Sequence, residues 1–435
     1  MTGRRPTTIE HAPTPTLTPT LKRTVRTVAA LAAGAALLTG CGVIPGTTAG
    51  SGDQQITVMT WAPEDTEATN MAGMPAMAQA YARWVNAHGG IGGRTLRVLT
   101  CNDRNDSVTA ARCARSAVEQ HAVAVVGSYS QHGRAFLSTL GAAGIPYIGG
   151  YGASDSEFTS PLSYPVNGGQ AALLAGNGEQ LAKPCARTVL VRPDTIAGDE
   201  LSPLLNTGLA RNRRPAATDL RVAEDSTDYS GQARRALTTA SADPAGDGCV
   251  VAVLGDRTDT FFDSFRRMRT DYPAVRTATV LGSVDQSEIN RTGGAKSPYE
   301  GAYVTGWYPA ADDARWEPMR KVIKEQAFGD NRIDPTDTGV QTTWIAYTVL
   351  KQVVESLGGS EVSARSVRIA LDKGLRVTTG GLTPSLRWGY DHMSAAGEFP
   401  RLVNARVTFQ KVEQGRLVAT RKRMVDVTDT LAKAP

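Results

Sequence analysis

Residues 85–96 read Val-Asn-Ala-His-Gly-Gly-Ile-Gly-Gly-Arg-Thr-Leu, with four glycines packed into the five positions 89–93. On the N-terminal side Met74, Met77, Ala78, Tyr81 and Val85 recur at spacings of three and four, which predicts a helix over 71–87. Gly89 and Gly90 can take the positive φ that ends such a helix, and Ile91 returns the chain to an apolar core. On the C-terminal side Leu96–Thr100 predicts a strand, and Ile56–Trp61 predicts another ahead of the helix. Strand, helix, glycine turn and strand make one βαβ unit, the building block of a parallel sheet.

The alternation continues along the chain. Val123–Val126 and Ile145–Ile148 predict further strands, with helices over 108–120 and 134–143 between them. A second series opens with a helix over 168–181 and places strands at Val189–Val191, Leu220–Ala223, Val250–Leu254 and Ala278–Leu281, separated by helices that include 229–241 and 260–270. After Gly301–Gly306 come helices over 314–328, 341–356 and 364–373. A hairpin closes the pattern, Ala405–Val412 and Leu417–Thr420 flanking a turn at Glu413–Gly415. The fold class is α/β, with two doubly wound, Rossmann-like halves.

With 435 residues, 41% hydrophobic and 20% charged, the chain has material for two or three globular domains, which excludes collagen, coiled coil and wholesale disorder. The formal charge of +5 sits mostly at the start, where residues 1–40 hold five Lys or Arg against Glu10 alone. The remainder is close to neutral, so no nucleic-acid partner is expected. Lys22, Arg23 and Arg26 precede the apolar run Val28–Leu38, a secretory signal whose 11 apolar residues fall short of the roughly 20 that a membrane span requires. Leu38, Thr39, Gly40 and Cys41 resemble a bacterial lipobox, which implies a signal peptide over 1–40 and lipidation of Cys41. An extracytoplasmic protein anchored to the cell membrane follows, with residues 41–55, rich in Gly, Thr and Ser, as a flexible tether. Export leaves four cysteines where disulfides persist. Cys101 ends a strand-like run and Cys113 lies in the next helix, which suggests one local pair. Cys185 and Cys249 each sit just before a strand-like run and pair if those strands are parallel neighbours.

Reactive constellations are absent from the sequence. There is no Gly-x-Ser-x-Gly elbow, Walker A loop or His-Glu-x-x-His, and the five His residues are isolated. Neither catalysis nor a cofactor nor a metal is expected.

Residues 85–96 resemble the N-x-x-G-G-I-x-G-R-x-L signature that ends the first helix in amino-acid-binding proteins of ABC importers, most closely the leucine/isoleucine/valine-binding type. Ordered matches continue at Gly127-Ser128, Gly144-Ile145-Pro146, Asp228-Tyr229, Ala346-Tyr347 and Thr379-Gly380-Gly381. The resemblance implies a type 1 periplasmic-binding-protein fold, two lobes around a central cleft. Lobe one would span 56–164 with 300–375, and lobe two 165–299 with 376–420. The crossings would fall near Ser163–Asn167, Ser283–Gly301 and Ala310–Asn331.

Ligands of open α/β sheets sit beyond the carboxyl ends of the strands. That places the loops Ser128–Gln131 and Tyr151–Ser154 in the cleft. The resemblance gives a ligand's carboxylate to Ser130, Ala153 and Ser154, where helix-start N–H groups suit an anion, although such serines also serve as plain N-caps. It gives an ammonium to Asp285, and Asp256 and Arg257 also face the cleft. Trp61 is either an apolar wall or a core residue. Ala197 stands before Gly198 where the family often has an aromatic residue, a departure from the branched-chain pattern. The implied partners are a small amino-acid-like ligand, ABC permease subunits and the membrane, for a monomeric binding protein. The same fold also serves as an extracellular ligand sensor that signals to a membrane partner.

Overall fold

The computed structural model describes residues 55–66, 69–242, 247–394 and 396–434. The expected signal peptide, Cys41 and the tether to residue 54 lie outside the described residues.

The helix Gly73–Ala87 ends at the glycine turn, where Gly89 and Gly90 adopt φ of 89° and 75° and Ile91 is fully buried. Asn86 locks that turn to the strand beyond it, its amide donating to Leu96 O at 2.9 Å and its carbonyl accepting from Leu96 N at 2.8 Å. Arg94 donates to Gly358 O and Ser360 O at 3.1 and 2.9 Å, joining the turn to the end of the helix Thr338–Ser356.

The first sheet is built from β1 (Ile56–Trp61), β2 (Leu96–Cys101), β3 (Ala124–Val126), β4 (Tyr147–Ile148) and β5 (Ser163–Tyr164), all parallel, in the order β2-β1-β3-β4-β5. Alternation along β1 sends Ile56 and Val58 toward the helices Gly73–Ala87 and Thr338–Ser356, and Met59 and Trp61 toward Ser107–Glu119 and Gly133–Ala143. Both faces are therefore covered, as a parallel sheet requires.

The second sheet contains β6 (Arg187–Pro193), β7 (Thr218–Val222), β8 (Gly248–Ala252), β9 (Arg276–Val280), β10 (Tyr303–Gly306), β11 (Arg406–Glu413) and β12 (Arg416–Ala419), with β13 (Val425–Asp426) beside β11. Its order is β12-β11-β10-β9-β8-β6-β7, parallel from β10 to β7 and antiparallel at the hairpin. The hairpin loop is Gln414-Gly415, with φ of 53° and 75°, the double positive φ of a two-residue turn whose twist matches the strands.

Two expected crossings lie elsewhere. Because β10 pairs with β9, Tyr303–Gly306 belongs to the second sheet and Ser283–Gly301 stays with it, carrying the helix Gln286–Arg291. Gln286 holds the hairpin there, donating to Gly415 O at 2.8 Å and accepting from Leu417 N at 2.9 Å. Within Ala310–Asn331, the helix Glu317–Gln326 packs on Gly73–Ala87 beside the first sheet. The chain instead crosses around 165–168, 307–309 and 404–405, and these three segments are bonded to one another. Asn167 Nδ2 donates to Tyr308 Oη at 2.9 Å, Trp307 Nε1 to Gly169 O at 2.8 Å and Asn404 Nδ2 to Val166 O at 3.0 Å, all buried.

Both cystines form. Cys101–Cys113 ties β2 to the following helix, and Cys185–Cys249 joins the entry of β6 to its parallel neighbour β8, with Cα separations of 5.8 and 5.6 Å. Chain entropy predicts that the longer closure, 64 residues against 12, contributes about 4 kcal/mol against about 3 kcal/mol. Denaturant melts should show the paired Cys185→Ala, Cys249→Ala variant losing more stability than the Cys101→Ala, Cys113→Ala variant. The reverse order would contradict that account.

Candidate functional site

Loops leaving β3, β4, β6, β8, β9 and β10 converge on a cavity of about 80 Å³ between the two sheets. Tyr129 and Tyr151 from the first lobe and Trp307 from the second crossing make an aromatic wall, with ring centroids 5.0 and 4.9 Å apart in edge-to-face pairs. Tyr151 Oη lies 3.0 Å from Thr338 Oγ1, at the start of the helix Thr338–Ser356, and Gln131 donates to Tyr129 Oη at 3.2 Å. The opposite wall is Ala197, Leu254 and Ser283, with Glu224 and Asp256 as the charged residues. No Lys, Arg or His is among the described residues that line it.

A second cavity of about 190 Å³ adjoins the first, sharing Asp256 and Ser283, and is walled by Asp285, Asp337 and Tyr299. The lobes touch beside it, Asn70 N donating to Asp256 Oδ2 and Ser287 N to Thr336 Oγ1, both at 3.3 Å.

The loop after β4 is occupied from within. Gly152 N donates to Glu157 Oε2 at 3.1 Å, while Ala153 N and Ser154 N donate to Oε1 at 3.0 and 3.2 Å and Ser154 Oγ reaches it at 3.3 Å. The N–H groups expected to hold a ligand's carboxylate therefore hold the chain's own. Glu157 is 1% exposed, and Gly150 makes room for it, since a Cβ there would collide with Oε2.

The other expected residues divide between the cleft and the core. Tyr151, Ala153 and Asp256 line the first cavity and Asp285 the second, whereas Arg257 lines neither. Ser154 faces the start of the helix Gly133–Ala143 rather than the aromatic wall. Ser130 is buried inside lobe one and accepts from His132 N at 3.2 Å, because the loop alternates and sends Tyr129 and Gln131 into the cleft instead. Trp61 is core, fully buried against Phe136 at 5.1 Å on the far face of its sheet. Asp285 is the N-cap of Gln286–Arg291 and accepts from Glu288 N at 2.7 Å and Ser287 Oγ at 2.9 Å.

Sequence reasoning missed Glu157, Trp307, Glu224, Asp337 and Tyr299. Ser154 and Glu157 do carry the spacing of a capping box, which points to a carboxylate reaching back over the loop. Trp307 follows a strand end, the position from which a crossing departs.

A family model described as "Periplasmic binding protein" matches residues 65–399. The chain belongs to the periplasmic binding protein family. No curated protein matches it in sequence. Among solved structures it is similar to a substrate-binding periplasmic protein from Ralstonia solanacearum, at 15% identity and a TM-score of 0.68 over 84% of this chain and 99% of that one. A branched chain amino acid ABC transporter from Thermus thermophilus with bound valine gives 14% identity and a TM-score of 0.69 over 86% and 97%. An ABC transporter solute binding protein from R. palustris in complex with 4-hydroxybenzoate gives 14% and 0.67 over 86% and 97%. At such identities the likeness shows the fold, that of type 1 periplasmic binding proteins. Membership of this family of binding proteins implies an extracytoplasmic location and a binding role.

In this periplasmic binding protein, burial raises several cleft carboxyls against the pull of their hydrogen bonds. Glu157 is pushed up to about 7 by burial, opposed by the N–H groups of Gly152, Ser154 and Ala153. Asp337 rises to about 7 through burial and the nearby Asp285, which is itself raised by burial. Asp256, open to solvent but walled in by both lobes, rises to about 6. A carboxyl raised on folding favours the folded state fully below its unfolded value, 4.5 for Glu157, and loses that contribution as pH rises through its folded value. The melting temperature of the ligand-free protein should thus fall as pH rises toward and through 7. Calorimetry of Glu157→Gln should show a shallower slope in that window, and an unchanged slope would sink the assignment. Glu157→Ala leaves three buried N–H groups unpaired and should cost about 2–4 kcal/mol.

Proposed function

We propose that the protein captures a small polar solute, an amino acid or a related compound, between its lobes and delivers it to an ABC permease. In this reading Cys41 carries lipid that holds the protein at the membrane. Lobe one comprises about 56–164 with 310–403, lobe two about 169–306 with 405–431, and the three bonded crossings are the hinge.

The observation that carries the reading is the cavity enclosed jointly by Tyr129 and Tyr151 of one lobe, Leu254 and Ser283 of the other, and Trp307 of the hinge. A solute bridging these walls contacts both lobes only when they are closed, so binding shifts the population toward closure. A permease can read that closed state.

Three measurements test it together. A saturating solute should change tryptophan fluorescence, with most of the change lost in Trp307→Phe, because Trp307 is the one of the six tryptophans that lines this cavity. The same solute should contract the radius of gyration in X-ray scattering and, at 100 times Kd, add about 2.7 kcal/mol of stability. A panel of amino acids, amides, amines, aromatic acids and sugars that leaves all three signals unmoved would overturn the proposal.

A further inference from the structure

The cleft makes a statement about ligand charge through three separate features. The first is the occupied loop after β4, where Glu157 already accepts from the N–H groups of Gly152, Ala153 and Ser154. An incoming carboxylate would have to displace a buried carboxyl that accepts three backbone hydrogen bonds, then leave that carboxyl without donors. The second is the lining of the aromatic cavity, whose charged residues are Glu224 and Asp256. An anionic ligand finds no cation there, and burying it beside two carboxylates is costly.

The third feature is the adjoining cavity. Asp256, Asp285 and Asp337 line it, and the one basic residue among the described residues that line it, Arg291, is bonded to Glu288 and Asp259. Tyr299, fully buried in the same wall, has a hydroxyl with no hydrogen-bond partner among the described residues, and Glu288 Oε1 is likewise buried and unpaired. Buried polar groups in native proteins are nearly always paired, so an orphan hydroxyl among carboxylates marks space for a group that donates several hydrogen bonds and carries positive charge. A protonated amine has both properties, and a hydrocarbon portion attached to it would meet Tyr129, Tyr151 and Trp307 in the neighbouring cavity.

We infer that the solute is a small organic cation lacking a carboxylate, an amine rather than an α-amino acid, with its ammonium held by Asp256, Asp285 and Asp337. The inference rests on the solute-binding reading and narrows it. The aromatic residues serve the apolar part, and Glu157 stands where an amino acid's own carboxylate would otherwise be needed. At about 80 and 190 Å³, the two cavities suit a compound well below drug size.

Titration calorimetry of the full chain with matched pairs tests it: leucine and isoamylamine, tyrosine and tyramine, ornithine and putrescine. At least one amine should bind about tenfold or more tightly than its parent amino acid. Asp285→Asn and Asp337→Asn each keep a good N-cap, so the fold should persist while amine affinity falls about tenfold or more. Circular dichroism and melting temperature confirm that these variants are folded. An amino acid or a benzoate that binds as tightly as any amine would overturn the inference while leaving solute capture standing. An amine whose affinity is unchanged in both variants would overturn the ammonium site. Silence from every compound here and in the wider panel would overturn both this inference and the solute-binding proposal.

Discussion

One carboxylate, that of Glu157, decides how the cleft can work. It reaches back from the short helix Ser156–Thr159 into the loop after β4 and accepts hydrogen bonds from three consecutive backbone N–H groups. Three buried donors need an acceptor, and an acceptor supplied by the chain costs no binding entropy. The loop is thereby built before any solute arrives. Its glycines follow from this arrangement: Gly150 leaves room for Oε2, and Gly152 adopts φ of 83°, where a side chain would meet Gly169. The contact also links the loop to the hinge, because Gly169 O accepts from Trp307 Nε1 and Gly169 N donates to Asn167. Preorganisation of the site and rigidity of the crossing are two results of the same packing.

The crossing itself is polar and buried. Asn167, Tyr308 and Thr342 form a chain of hydrogen bonds at 2.9 and 3.0 Å, and Asn404 adds the third crossing. Polar groups in such a place fix one register of the three segments, since any slip leaves buried donors unpaired. In the proposed closure, rotation of the lobes would be absorbed by backbone next to this knot, without unravelling either sheet.

Much of the fold was legible because periodicity and turn chemistry act locally. The helix over 71–87, the glycine turn, β1, β2 and the Gln414-Gly415 hairpin all follow from residues within a few positions of one another. The cystines were readable because strand order constrains them. The crossings were less so. Whether Tyr303–Gly306 adds to one sheet or starts a passage to the other depends on pairing with β9, which no local pattern encodes. The site was legible as a set of loops but not as a set of side chains. Alternation inside Ser128–Gln131 turned Ser130 inward and Tyr129 outward, and the same period put Trp61 in the core. Glu157 was hidden for a different reason: a family resemblance points to who binds the amides in relatives, and a carboxylate from within the chain satisfies the same donors equally well.

The most direct test of this account needs no ligand. Carbon-detected NMR of the Glu157 side chain, assigned by comparison with Glu157→Gln, should show a titration midpoint near 7. The amide protons of Gly152, Ala153 and Ser154 should shift with that same midpoint, because they donate to the titrating oxygens. A midpoint near 4.5, with the three amides indifferent to it, would mean that the carboxyl lies in water and that the amide cradle stands open for a ligand.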